Sequence, residues 1–383
     1  MKIGIEAQRI FRKKKHGMDM VALELVRNLQ LIDRENEYVV FVKPDEDRDV
    51  LRESSNFRIV ELGGGPYPTW EQWALPRAAR AHGCDLLHCT SNTAPMRSST
   101  PLVVTLHDII YLESISLFKK GGTAYQKLGN MYRRWVVPPV IKKSKKVITV
   151  SNFEKERIAR FFGMEDDRLV AVYNGVGRHF APVTDPLERE RVRKEYGLPE
   201  PFFFFLGNTD PKKNTPNVLR SMAMFNAESE TPHHLVMLDY DEAALKATLK
   251  EIGHPDLRDH IHLCGYVPNT ELPAIISQAE AFLYPSMRES FGIPILEGMA
   301  CGVPVITANT SSMPEVAGGA ALLVDPKEPL QIREAMQRVL SDQDLRKELV
   351  SKGLERARKF SWQAMAGAVL DIYRQVHQES QSR

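Results

Sequence analysis

Tyr284-Pro285-Ser286-Met287-Arg288-Glu289-Ser290-Phe291-Gly292-Ile293-Pro294-Ile295-Leu296-Glu297-Gly298-Met299-Ala300-Cys301-Gly302-Val303-Pro304 is the stretch on which the reading of this chain turns. The apolar run entering it, Ala281 to Tyr284, reads as a buried strand that stops at Pro285. A loop carrying Glu289 follows, Phe291-Gly292 turn the chain, and Pro294 sits where a helix begins and its missing N–H costs nothing. Glu297 falls in the first turns of that helix. Gly302 and Pro304 end it before Val305-Ile306 start another strand. In an open parallel sheet, ligands bind beyond the carboxyl ends of the strands, often with phosphate at a helix N-terminus. A nucleotide's phosphates could thus meet the amides near Gly292 and Ile293, with Glu297 toward ribose hydroxyls and Glu289 toward a group beyond the phosphates.

The pattern Glu289-x7-Glu297, set between Phe291-Gly292-Ile293-Pro294 and Ala300-Cys301-Gly302-Val303-Pro304, resembles the signature of the retaining glycosyltransferases of family 4. Two glutamates eight apart are weak evidence alone, and two solvated glutamates beside a buried helix are the bland alternative. The flanking motifs carry the resemblance.

Outward from that stretch, 383 residues exceed one typical core and predict two domains. A hydrophobic content of 43% with 26% charged residues is that of a soluble globular chain. Cys84, Cys89, Cys264 and Cys301 have neither zinc spacing nor disulfide-scaffold density, and read as reduced cytosolic thiols. Met1 to Ile5 run directly into a strand, so no signal peptide is expected, and no apolar run reaches the ~20 residues of a membrane span. Charge is uneven. Residues 1–180 hold 29 Lys and Arg against 21 Asp and Glu, a net of +8, and the remainder nets −6. The first half is expected to face something anionic.

Ile3 to Ile5, Tyr38 to Val42, Phe57 to Leu62, Asp85 to His88, Leu102 to Leu106 and Val147 to Val150 read as buried strands. Gly17–Leu31 and Trp70–Ala81 read as helices between them. That alternation argues a doubly wound parallel sheet. Arg9 to His16 is a basic run where family 4 enzymes usually have a glycine-rich loop, of which only Gly17 is kept; Lys13 to Lys15 also read as a solvated turn. From Ser114 to Val150 there are nine Lys and Arg and no acid, interleaved with aromatics, until Pro138-Pro139 interrupt the helix. This segment fits an anionic membrane surface, or else a solvated helix with Trp135 and Val136 toward the core. Nothing in it matches a nucleic-acid-binding motif. Asn174-Gly175 read as a tight turn, and Ala181 to Pro186 as a linker.

The second half restarts the pattern with the strand Phe202–Leu206 and a loop, Gly207 to Asn214, before a helix from Thr215. His234 to Leu238 form another strand. Asp239-Tyr240-Asp241 could hold a divalent cation, but Asp241 more simply caps the next helix. Helices are expected at Leu330–Leu340 and Leu345–Arg358, with a last one from Phe360.

The resemblance recurs at His107-Asp108 and at Lys212-Lys213-Asn214, so it covers nearly the whole chain. It implies a GT-B arrangement, two Rossmann-like domains facing a cleft. Residues 1–182 would bind the acceptor and 183–359 the NDP-sugar, and 360–383 would pack back on the first domain. It implies catalytic roles for His107, Lys213 and Glu289, with His107 near the transferred sugar and Lys213 on the pyrophosphate. Substrate or nucleotide contacts would come from Gly17, Asp108, Asn208, Lys212, Ser290, Phe291, Gly292, Ile293 and Glu297. Asn208 stands where many members have Arg. No cofactor and no metal are expected. The implied partners are a nucleotide-sugar donor and a glycan or lipid-linked acceptor, and the expected location is cytoplasmic. An epimerase or hydrolase of the same fold, and a non-catalytic sugar-nucleotide-binding subunit, are the rival readings.

Overall fold

The computed structural model describes residues 1–63, 65–113, 124–164 and 167–381. The chain parts into two units, Met1–Asn174 with the terminal segment from Trp362, and Gly175–Ser361. The first break therefore falls earlier than residue 182. Residues 175–182 go with the second unit because Val176 bridges to Ser361, Asn269 shares a 3.1 Å hydrogen bond with His179, and Pro182 lies against Gly302. The turn expected at Asn174-Gly175 forms instead at Gly177–Phe180, closed by Phe180 N–H donating to the Gly177 carbonyl at 3.0 Å.

The first unit is a seven-stranded parallel sheet of β1 (Lys2–Glu6), β2 (Glu37–Val42), β3 (Phe57–Glu61), β4 (Leu86–Cys89), β5 (Leu102–Thr105), β6 (Lys146–Thr149) and β7 (Leu169–Ala171). Its order is β3-β2-β1-β4-β5-β6-β7, so the order reverses between β1 and β4. The terminal helix Trp362–Gln381 packs against the helix Gly17–Ile32 and buries Met365, Val369, Leu370, Tyr373 and Val376. Tyr373 Oη lies 2.6 Å from His88 Nδ1, whose Nε2 meets Thr105 Oγ1 at 2.8 Å.

Two helical expectations need correction. Ala124–Lys143 is one helix that runs through Pro138 and Pro139. The lost backbone donors are outweighed by Val136, Val137, Val140 and Ile141, all fully buried in the core. The stretch read as a helix over Trp70–Ala81 begins as a π-helical turn, Trp70–Ala74, and only then becomes α-helical over Leu75–Ala81.

The second unit is a six-stranded parallel sheet of β8 (Phe202–Phe205), β9 (His234–Met237), β10 (Ile261–Leu263), β11 (Phe282–Tyr284), β12 (Val305–Ala308) and β13 (Leu322–Val324). Its order, β10-β9-β8-β11-β12-β13, reverses between β8 and β11. The central strands are apolar throughout, as strands covered on both faces must be. Phe202 to Phe205 are each no more than 1% exposed.

Candidate active site

A reversal of strand order opens a crevice at the carboxyl ends of the two strands that flank it. In the second unit those strands are β8 and β11, and both glutamates and the second lysine follow them. After β8 the chain makes a single 3-10 turn, Pro211–Lys213, with Asp210 capping it by accepting from Lys212 N–H at 3.0 Å. Asn214 then adopts φ +64°, a left-handed conformation that asparagine tolerates better than most residues. From there its amide donates to the Pro285 carbonyl at 3.0 Å and the Pro326 carbonyl at 2.5 Å. Met287 N–H donates to the Lys212 carbonyl at 2.7 Å. These bonds lay the loop after β11 onto the turn after β8.

The consequence is a compact charged cluster. Lys213 Nζ donates to Glu289 Oε1 and to Tyr284 Oη, both at 2.7 Å, and stands 4.6 Å from the centre of the Tyr284 ring. Tyr284 is 2% exposed, and burial, with the Glu289 carboxylate close by, lifts its phenol well above the ordinary range, so it stays protonated. Glu289 is held by its backbone: its N–H donates to Ser311 Oγ at 3.1 Å and its carbonyl accepts from Ser312 Oγ at 2.9 Å. Glu297, one helical stretch later, is raised to about 7 by burial, with the Lys213 ammonium pulling the other way.

The helix Ile293–Ala300 starts at Gly292, whose φ of +101° few side chains could adopt, and no side chain caps it. Phe291 is buried, edge-on to Phe360 at 5.9 Å, while Ser290 lies part-buried between it and Glu289. Two further expected contacts have partners within their own loop. Lys212 is nearly half exposed and pairs loosely with Asp210 at 3.7 Å. Asn208 is exposed, and its side-chain oxygen accepts from Asp210 N–H at 2.9 Å, which closes its own loop.

In the first unit the reversal lies between β1 and β4, and His107 follows the neighbouring β5. Its backbone N–H donates to Asn92 Oδ1 at 2.6 Å. Nε2 donates to the Thr90 carbonyl at 3.0 Å, so that nitrogen carries the proton and Nδ1 keeps its lone pair. Burial lowers the imidazole below its ordinary value, against the Thr90 carbonyl and Asp108. Asp108 accepts from Ile110 N–H at 3.1 Å. Gly17 is the first residue of its helix, with open space where a Cβ would stand. Lys15 is no solvated turn residue: it is almost buried and donates to Asp47 at 2.5 Å and to the Arg12 carbonyl at 2.8 Å.

Two buried carboxylates here escaped the sequence reading. Glu6, at the end of β1, accepts from Thr90 N–H at 3.1 Å and Gln8 N–H at 3.0 Å. Glu71 takes hydrogen bonds from Tyr67, Thr93, Tyr132 and Gln72. Burial raises both. Among the described residues no cluster of three or more His, Cys, Asp or Glu is placed to hold a metal. Asp241 caps the helix Glu242–Glu251 through Ala244 N–H at 2.7 Å.

Residues 188–356 match the family model described as glycosyl transferases group 1, and residues 16–179 match that of glycosyltransferase family 4. The O-antigen chain mannosyltransferase B of Escherichia coli is 28% identical over 309 residues, covering 80% of this chain and 78% of its own. Among solved structures, sucrose-phosphate synthase from Thermosynechococcus elongatus superposes with a TM-score of 0.77 at 20% identity, over 98% of each chain. Anabaena HepE, solved in complex with UDP-glucose, gives 0.76 at 17% identity over 98% of this chain and 100% of its own. The fold is that of the GT-B glycosyltransferases. Matched along both halves, the chain belongs to the glycosyltransferases of family 4 and group 1.

Proposed function

We propose that this glycosyltransferase moves a hexose from an NDP-sugar to a glycan or lipid-linked acceptor in cell-surface polysaccharide synthesis, with retention at the anomeric carbon and without a metal. The observation that carries the reading is the Lys213–Tyr284–Glu289 cluster beside Glu297 at the order reversal of the second sheet. Glu297 holds the ribose, Lys213 and the amides at Gly292 and Ile293 hold the diphosphate, and Glu289 orients hexose hydroxyls. His107 contacts the sugar through Nδ1. The C1–O bond to the diphosphate breaks while the acceptor oxygen bonds C1 on the same face, and the acceptor's proton passes to the departing phosphate oxygen. Charge stabilisation by a fixed ammonium and positioning supply the rate. The mannosyltransferase relative supports mannose as the transferred hexose, whereas the HepE complex supports UDP-glucose as donor.

All four cysteines are free thiols, which supports a cytoplasmic setting. No helix among the described residues is long and apolar enough to cross a membrane. For the inner membrane face the support lies on the helix Ala124–Lys143. Leu128, Met131 and Trp135 are 65%, 56% and 64% exposed at helical spacing, and Lys142 continues that stripe. Only Val136 of the Trp135-Val136 pair faces the core. Of the nine cations, Lys119 and Lys120 lie outside the described residues.

The test is turnover of GDP-mannose, UDP-glucose and ADP-glucose with lipid-linked glycan acceptors, the product anomer being read by NMR. Acceptor-dependent transfer giving the α-anomer from an α-linked donor is expected. Inversion, or acceptor-independent release of free sugar, contradicts the reading.

A further inference from the structure

The ammonium assigned to the diphosphate already has a partner. Lys213 and Glu289 face one another at 2.7 Å with side chains only 14% and 12% exposed. Tyr284 accepts from Lys213 and lies close to Glu289, and it belongs to β11. The backbone at Glu289 is tied down by Ser311, Ser312 and the Met287–Lys212 bond. A part-buried ion pair is costly to break when one member is left without a replacement.

From this arrangement we infer that Glu289 is a specificity-determining residue: it competes with the diphosphate for Lys213 and so weakens binding of the spent nucleoside diphosphate relative to the intact sugar nucleotide. The inference rests on the donor site proposed above. A bare diphosphate takes Lys213 away from Glu289 and leaves that carboxylate facing phosphate charge, with one phenol for company. An intact donor brings hexose hydroxyls that donate to Glu289, so ammonium and carboxylate are both satisfied. Discrimination arises from the unfavourable contact as much as from the favourable one. Once the hexose has left, Glu289 loses its donors, reclaims Lys213, and loosens the product. Binding energy is thereby withheld from the product state.

The experiment is calorimetric titration of the full chain and of Glu289→Gln with UDP, GDP, ADP, their hexose conjugates and inorganic pyrophosphate. The Gln variant keeps the shape and removes the charge, and circular dichroism checks its fold. The best-bound diphosphate and pyrophosphate are expected to bind about tenfold more tightly to Glu289→Gln, while the matching sugar conjugate binds no more tightly. Unchanged or weaker diphosphate binding, or equal tightening of diphosphate and conjugate, overturns the inference and leaves the donor site standing. Wild type alone supplies a second reading: its sugar conjugate must bind more tightly than its diphosphate, and the reverse order overturns the inference even if the variant does not fold. Binding of none of the three diphosphates by wild type instead removes the donor site itself, and the inference with it.

Discussion

Burial raises the Glu297 carboxyl from 4.5 to about 7, and Lys213 offsets this only in part. A carboxyl whose folded value is raised stabilises the fold below its unfolded value and loses that contribution as pH climbs through the folded one. Glu297→Gln, which cannot ionise, should therefore match wild type near pH 4.5. By pH 8 it should be more stable, by roughly 3 kcal/mol for a rise from 4.5 to about 7. Urea unfolding at the two pH values measures it, and a constant difference would mean that Glu297 is not desolvated. Lys213, Glu289 and Glu297 could be picked out from the sequence because the resemblance to the family's motifs marks them. Tyr284 could not, since an aromatic ending an apolar strand reads as core, and only the fold brings its hydroxyl to Lys213. Glu6 and Glu71 left no signal either: a lone glutamate in or after a strand reads as solvated, and the donors that bury it come from distant loops.

Elements were legible where the pattern was long, and less so where tertiary packing overrode local preference. The strands of the central sheets and the capped helices follow from apolar runs and Ser or Asp caps; Ser151, for instance, accepts from Glu154 N–H at 3.2 Å. The three-residue strands β7, β10 and β13 are too short to show periodicity. Pro138 and Pro139 stay helical because four buried aliphatic side chains beside them hold the helix to the sheet. The start of the helix Ile293–Ala300 is the most exacting local geometry at the site. A Cβ at Gly292 would sit 3.1 Å from Ile295 Cδ1 on a backbone at φ +101°. Gly292→Ala should destabilise the protein by about 1–2 kcal/mol and move the amides nearest the proposed phosphates. Chemical denaturation and diphosphate titration would register the two effects, and a variant as stable as wild type would mean the turn relaxes freely.

On the scale of the whole molecule, a repeated α/β pattern was readable as two domains, but the break was not. The Pro-rich segment 181–186 resembles a linker in composition, while hydrogen bonds and packing assign it to the second unit. The terminal helix completes the first unit across some 285 residues of chain, the separation of the His88–Tyr373 hydrogen bond. Tyr373 is fully buried, and burial depresses His88 to about 3, so the imidazole stays neutral. Tyr373→Ala opens a cavity and strips His88 of a partner, and should cost about 3–5 kcal/mol. Thermal denaturation losing less than ~1 kcal/mol would show the helix to be dispensable.

The central claim is that the second unit binds the donor's diphosphate through Lys213, at the reversal of strand order between β8 and β11. Calorimetric titration of the best-binding nucleoside diphosphate into wild type, Lys213→Ala, Lys212→Ala and His107→Ala tests it most directly. Lys213→Ala should weaken binding by at least about tenfold, as expected for a lost charge-assisted contact. Lys212→Ala, which removes a nearly half-exposed ammonium paired loosely with Asp210, and His107→Ala, which belongs to the other unit, should bind within about twofold of wild type, the range of surface charges. Lys213→Ala binding as wild type does, or His107→Ala losing the diphosphate, would contradict the account.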